Sequence, residues 1–352
     1  MKKTILFFGI YDRNYARTRV LQNGFGRNGW EIRECHVDPR KHKGLVKYWR
    51  LFLLGLQARK EAHDLVLVGF PGQSVVWLAR LLFGPDIVFD AFLSQYDSNV
   101  FDRKLYSQNS WRARKDKWLD TWSCRLARKV LLETNEHIEY FVTTFGIPRE
   151  KFERIWISAD DTIFFPTSVP EEARFTVHFH GMFIPLQGIS YIVRAAGILR
   201  DEDIHFRIVG RGQEWELIQK LVEELGLKDR IECTGKVPLE KIPGYMAGAQ
   251  IVLGIFGDTE KTKRVIPNKV YEAMAMGKCV ITADTAAVRE LPGSREALAL
   301  VPVADAQALA DMIRVLKSDE ARRLEFGRKA RALFEKELLP EHMVAELLTK
   351  IA

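Results

Sequence analysis

Residues 264–282 read Arg264-Val-Ile-Pro267-Asn268-Lys269-Val-Tyr-Glu272-Ala-Met-Ala-Met-Gly277-Lys-Cys279-Val-Ile-Thr282. Pro267 suits the first turn of a helix, Gly277 closes one, and the apolar run Cys279–Thr282 that follows is a buried strand. The stretch predicts a helix over 265–276 feeding a strand. Such a helix turns its small residues, Ala273 and Ala275, toward a sheet and offers its first-turn amides and the Glu272 carboxylate to a ligand. A carboxylate there accepts two hydrogen bonds from a vicinal diol such as a ribose. The competing reading is a surface helix with a charged N-terminal end.

The same rhythm extends outward. In the second half, strands over 174–180, 205–209, 231–234 and 251–255 alternate with helices over 190–199, 214–225, 239–246 and 306–317. The first half shows strands over 5–8, 31–36, 65–68, 87–92 and 129–132, with helices over 15–28 and 73–82. Short apolar strands separated by helices imply βαβ units and parallel sheets. The expected class is α/β: two doubly wound Rossmann-like domains facing each other across a cleft, with ligand at the carboxyl ends of the strands. The expected domains are 1–160 (acceptor side) and 173–330 (donor side), joined by the Asp/Pro/Ser-rich linker 161–172. A C-terminal helix over 331–352 is expected to cross back onto the first domain.

Composition narrows the classes. The 352 residues are 47% hydrophobic and 28% charged, which excludes a disordered or fibrous chain. No apolar run is long enough to span a bilayer, and the apolar start is too short for a signal-peptide h-region. Four scattered cysteines predict neither a disulfide framework nor a zinc site, and no metal is expected because no Asp-x-Asp motif lies in a suitable loop. A cytoplasmic location is expected. Residues 1–170 hold 27 Lys+Arg against 19 Asp+Glu, whereas the remainder holds 26 against 27. The excess positive charge of the first half fits anionic lipid or phosphorylated substrates. Nucleic acid is not expected, because no recognised module is present.

Two stretches in that half mix cations with aromatics: 40–56, where Val46, Trp49, Leu53 and Leu56 share a helical face, and 111–118. Each reads either as peripheral contact with the inner face of a membrane or as a core helix with solvated charges. The strand-turn Ile208-Val-Gly210-Arg211-Gly212 lets backbone amides approach a phosphate, or is simply a tight turn. It is not a dinucleotide fingerprint, since the third glycine is missing and Glu214 would repel a pyrophosphate.

Four pieces in order, His180-Gly181-Met182-Phe-Ile-Pro-Leu-Gln187-Gly188, Ile208-Val-Gly210-Arg211-Gly212, Cys233-Thr-Gly-Lys236-Val237 and Pro267–Gly277, resemble the donor domain of GT-B fold retaining glycosyltransferases, family 4 (group 1). The resemblance implies transfer of a sugar from a nucleotide diphosphate sugar to an acceptor hydroxyl, as in cell-surface polysaccharide or glycolipid synthesis, with no cofactor besides the donor. Glu272 would hold the donor ribose, Lys236 and Val237 would touch the base, and the amides from Ile266 through Pro267, Asn268 and Lys269 would face the sugar and diphosphate. Gly181, Gln187 and Gly210 line the same site. Two departures stand out. Arg264 replaces the first glutamate of the family's E-x7-E motif, and Met182 and Gln187 replace its basic phosphate-binding pair. Arg211, Lys269 and Arg264 are candidates to balance the diphosphate instead, and Arg264 could alternatively serve a sugar carboxylate.

In the first half, Arg13, Arg17 and Arg19 are candidates for an acceptor or phosphate contact. Asp90 and Asp97 are catalytic candidates, standing near where the family usually has a histidine. Two other readings stay open: a sugar-nucleotide epimerase on the same fold, and a nucleotide-sugar-binding protein without catalysis. Lipid-linked or saccharide acceptors are the expected partners.

Overall fold

Strands form here wherever apolar runs are too short for a helix and are buried on both faces, as the inner strands of parallel sheets require. The computed structural model describes residues 2–351. The chain divides into two compact units, Met1–Asp160 with Leu339–Ala352, and Asp161–Leu338.

The first unit holds β1 (Thr4–Ile10), β2 (Glu31–Val37), β3 (Leu65–Val68), β4 (Ile87–Phe92), β5 (Lys129–Leu132) and β6 (Phe152–Arg154). They form one parallel sheet in the order β2-β1-β3-β4-β5-β6. Every residue of β1, β3 and β4 is buried. Its helices are α1 (Ala16–Arg27), α2 (Val46–Ala58), α3 (Val76–Phe83), α4 (Trp111–Leu126) and α5 (Asn135–Phe145).

The second unit repeats the plan with β7 (Thr176–His180), β8 (His205–Val209), β9 (Ile231–Gly235), β10 (Ile251–Leu253), β11 (Cys279–Ala283) and β12 (Ala299–Val301), ordered β12-β11-β10-β7-β8-β9 and all parallel. Its helices are α6 (Ile189–Ile198), α7 (Trp215–Glu224), α8 (Ile242–Gly248), α9 (Asn268–Ala275), the single turns α10 (Ala286–Arg289) and α11 (Ser294–Ala297), α12 (Ala306–Ser318) and α13 (Glu320–Leu333). The chain leaves β7 in one direction along the sheet and returns to β10 on the other side of it. That puts the topological switch point between the carboxyl ends of β7 and β10, where open α/β sheets take their ligands.

Three differences from the sequence expectations have physical causes. The helix expected from 265 starts at Asn268, because the residue before a proline is pushed out of the α region; Pro267 itself is extended and forms the N-cap. The strands β6 and β12 are only three residues long, too short to show a strand period in the sequence, yet each pairs along a sheet edge. The helix expected over 331–352 is two pieces, the end of α13 and α14 (Pro340–Ile351), separated by a π-type turn over Phe334–Leu338. α14 packs on α1 within the first unit. The two helices approach so closely that a Cβ at Gly24 would lie 2.4 Å from the Pro340 carbonyl oxygen.

Candidate active site

At the end of β7 the backbone needs two glycines. Gly181 (φ +153) follows the strand and Gly210 (φ +132) follows β8, both in a region that L side chains rarely adopt. A Cβ on Gly210 would fall 1.8 Å from the Gly181 carbonyl oxygen, so the two turns touch backbone to backbone. Gly210 N also donates to Gly235 O at 2.8 Å, drawing the Lys236–Val237 loop to the same end of the sheet.

Onto this floor α9 lowers its first two turns. No side chain caps its N-terminus, which leaves its first amides and the positive end of the helix for an anion. Lys269 lies in the first turn with only 4% of its surface exposed. Its ammonium donates to Gln187 Oε1, sits 4.2 Å from the centre of the Phe179 ring, and would be 2.9 Å from a Cβ on Gly181. Burial pushes Lys269 down to about 7, partly opposed by the Glu272 carboxylate.

Glu272, one turn on, is buried and accepts a hydrogen bond at Oε2 from His180 Nε2, 2.8 Å away. A carboxylate only accepts, so His180 carries its proton on Nε2 and its Nδ1 accepts from His178 Nε2 at 3.1 Å. Burial above all, reinforced by the nearby Arg207 guanidinium, pulls His178 well below the usual histidine range and keeps it neutral. The chain His178–His180–Glu272 thus fixes one oxygen of the carboxylate. The other, Oε1, carries no hydrogen bond among the described residues and can accept from a ligand hydroxyl. Neither histidine stood among the expected site residues. The signal was present: residues two apart on a strand share a face, and a polar pair inside an apolar strand needs partners.

Gly181, Gln187, Gly210, Lys269 and Glu272 therefore come together, with Ile266, Pro267 and Asn268 leading into α9. Lys236 is exposed and Val237 half-buried on the loop after β9. Arg211 turns along α7 instead, its guanidinium 5.3 Å from the Trp215 ring centre and 3.9 Å from Glu216. Arg264 is half-buried in the single turn Thr262–Arg264 before the helix.

In the first unit the structure corrects two expectations. Arg17 forks onto Asp90, with Nη2 at 2.9 Å and Nε at 3.1 Å, and its Nη1 donates to Trp156 O at 2.8 Å. Both side chains are 1% exposed. A carboxylate and a guanidinium that satisfy each other inside the core present no free group to a substrate, so neither Asp90 nor Arg17 has an accessible role. Asp97 is fully buried at the start of a π-type turn, its amide donating to Ser94 Oγ, and is likewise withdrawn from solvent. Arg19 pairs with Asp160 at 2.9 Å and Arg13 with Glu34 at 2.7 Å. Arg13 alone of these arginines is largely exposed, and it borders a cavity of about 400 Å³ with His36, Arg40, Lys41 and Arg50 around it.

Residues 174–319 match the family Glycosyl transferases group 1. The amylovoran biosynthesis glycosyltransferase AmsK of Erwinia amylovora is 28% identical over 221 residues, covering 60% of this chain and 51% of that one; the chain spans about half the length of that curated relative. Among solved structures, the sucrose-phosphate synthase of Thermosynechococcus elongatus aligns with a TM-score of 0.75 at 16% identity, covering 99% of this chain and 98% of that one. HepE of Anabaena, solved in complex with UDP-glucose, aligns with a TM-score of 0.71 at 16% identity over 98% and 99% of the two chains. The resemblance carried by the motifs from His180 to Gly277 is thereby borne out in its fold and its group: the chain has the GT-B fold of glycosyltransferases, and residues 174–319 of its second unit carry their group 1 sequence pattern.

Proposed function

We propose that the chain is a retaining glycosyltransferase that takes a sugar from a nucleotide diphosphate sugar and places it on an acceptor hydroxyl in polysaccharide or glycolipid synthesis. The observation that carries this reading is the pairing, on one face of α9, of a half-satisfied carboxylate, Glu272, with a buried amine, Lys269. Glu272 Oε1 serves a ribose hydroxyl. Lys269 and the uncapped amides of α9 meet the negative charge that grows on the diphosphate as its bond to the anomeric carbon breaks and the bond to the acceptor oxygen forms. The product of a relative, amylovoran in AmsK, and the UDP-glucose held by HepE support the donor class and the polysaccharide setting. The cavity beside Arg13 is the proposed acceptor side. The four free cysteines suit a reducing compartment such as the cytoplasm.

A second reading, nucleotide-sugar binding without turnover, is favoured by one observation only: the carboxylates expected at the reaction centre, Asp90 and Asp97, are buried. The test runs in two steps. A panel of nucleotide diphosphate sugars is screened for a rise in melting temperature, since a ligand that binds only the folded state stabilises it by mass action. The stabilising donor is then incubated with saccharide and lipid-linked acceptors, and the product's anomeric configuration is read by NMR. An inverted product refutes retention, an epimerised donor refutes transfer, and a bound but unconsumed donor supports the second reading.

A further inference from the structure

The first unit covers one face of its sheet with a layer of helices whose outer side is apolar and positively charged. The crossovers β2–α2–β3, β3–α3–β4 and β4–α4–β5 all advance in the same direction along the sheet order, so right-handed connection puts α2, α3 and α4 on one face. α2 packs on α3 and α3 on α4, making a continuous surface.

What this surface shows to solvent is unusual for a soluble face. α2 exposes Trp49 (61%) with Leu53 and Leu56. α3 exposes Trp77 and Leu81 (64%). α4 exposes Trp111 (69%), Trp118 and Trp122. Cations are threaded between them: two Lys/Arg on α2, one on α3 and five on α4. Several lie against the aromatic rings, as Lys47 does over Tyr48 and Arg125 over Trp122. The three helices contain just two carboxylates, Asp116 and Asp120, and both turn inward. Asp120 accepts from Ser94 Oγ and the amides of Gln95 and Tyr96, and Asp116 accepts from Asn99 and Tyr106. The band ends at α5, where Glu136 and Glu139 are exposed.

We propose that the outer face of α2, α3 and α4 docks the protein on the anionic surface of a lipid bilayer. Tryptophans take the headgroup level, the leucines enter the acyl boundary, and the lysines and arginines reach phosphate groups while their alkyl stems cover apolar surface. The charge is complementary, since no exposed carboxylate on the three helices opposes it. A nucleic acid matches the charge but offers nothing to Leu53, Leu56 and Leu81, which cannot stack on bases as aromatics do. A bilayer accommodates both halves of the pattern. The inference is independent of the donor site, which lies in the other unit.

The full chain is sedimented with phosphatidylcholine vesicles and with vesicles of phosphatidylcholine and phosphatidylglycerol, and separately titrated with duplex DNA. The expected result is preferential binding to the anionic vesicles that weakens as salt is raised. Each cation near a charged surface contributes about fivefold in partitioning, so Arg114→Glu with Lys115→Glu cuts anionic binding by at least about 25-fold. Trp118→Ala with Leu81→Gln lowers the part that survives high salt. Melting curves and the donor-induced shift of each variant stay as in the wild type, because the altered side chains are exposed and outside the donor unit. Equal binding to both vesicle types, wild-type anionic binding in both pairs of variants, or tighter binding to DNA than to anionic vesicles would overturn the proposal.

Discussion

Lys269 donates its ammonium to the side-chain oxygen of Gln187, 82 positions away in sequence, inside the turn that follows β7. The resemblance implies a basic side chain at 187 for the donor diphosphate, and Gln187 cannot supply one. The structure brings a cation to the same spot from α9 instead. The amine is buried and pushed down to about 7, so near neutral pH part of the empty protein holds it uncharged.

Donor binding should therefore take up a proton. An entering diphosphate favours the charged amine and raises its pKa. Below about pH 7 the amine is already charged and affinity is flat. Above that point each binding event draws a proton from solvent, so affinity falls by up to about tenfold per pH unit. Calorimetry in two buffers of different ionisation enthalpy reads the uptake directly. Identical heats in both buffers at pH 8 would show that Lys269 does not serve the diphosphate.

The same amine opposes folding. The unfolded chain keeps the Lys269 proton up to about 10.5, whereas the folded protein sheds it near 7. Between those values the unfolded state binds more protons, so stability rises with pH. The penalty is fully present below about pH 7 and fades toward pH 10.5. Lys269→Met should thus raise the melting temperature most at pH 6–7, with a gain that shrinks as pH rises and a donor affinity that collapses. Each pKa unit is about 1.4 kcal/mol, so the relief reaches a few kcal/mol at its largest. A variant that melts lower at pH 6 would contradict the assignment.

Much of the architecture was legible because strands such as Ile87–Phe92 and helices such as Ala306–Ser318 carry strong periodic patterns. The edge strands β6 and β12 were not, since three residues are too few to show an alternating pattern of their own. At the donor site, Glu272 and Lys269 could be named from a motif, and the polar pair His178–His180 shows on one face of a strand, but its pairing with Glu272 could not be read from the sequence. It depends on β7 ending beside α9, a relationship that only the fold creates. Asp90 misled for a related reason. A carboxylate in an apolar strand does demand a partner, but the partner is Arg17, buried with it, and no substrate is needed.

His180 is a positioning residue for Glu272. Glu272→Ala should lower donor affinity by about 1.5–3 kcal/mol, the worth of a hydrogen bond to a charged group. His180→Ala leaves the carboxylate in place but loosens it, with a smaller loss. The two are in contact, so the double variant should lose less than the sum of the singles. Additive losses in titration calorimetry would mean that His180 does not act through Glu272.

The Arg17–Asp90 pair predicts an outcome opposite to that of a catalytic aspartate. Asp90→Asn leaves a guanidinium, 1% exposed, facing a neutral amide in the core. Breaking one side of a buried pair costs about 3–5 kcal/mol, because the remaining charge is uncompensated. Urea unfolding should show that loss. Arg17→Met should show a similar one from the opposite partner. The double variant Arg17→Met with Asp90→Leu removes both charges and should recover much of the stability, since a well-packed apolar pair of similar volume often replaces a buried ion pair without penalty. Transfer per folded molecule, measured below the lowered melting point, should stay near wild type in all three. If Asp90→Asn instead keeps its stability and loses turnover, the carboxylate acts on substrate, and the closed pair seen here is not the state that reacts.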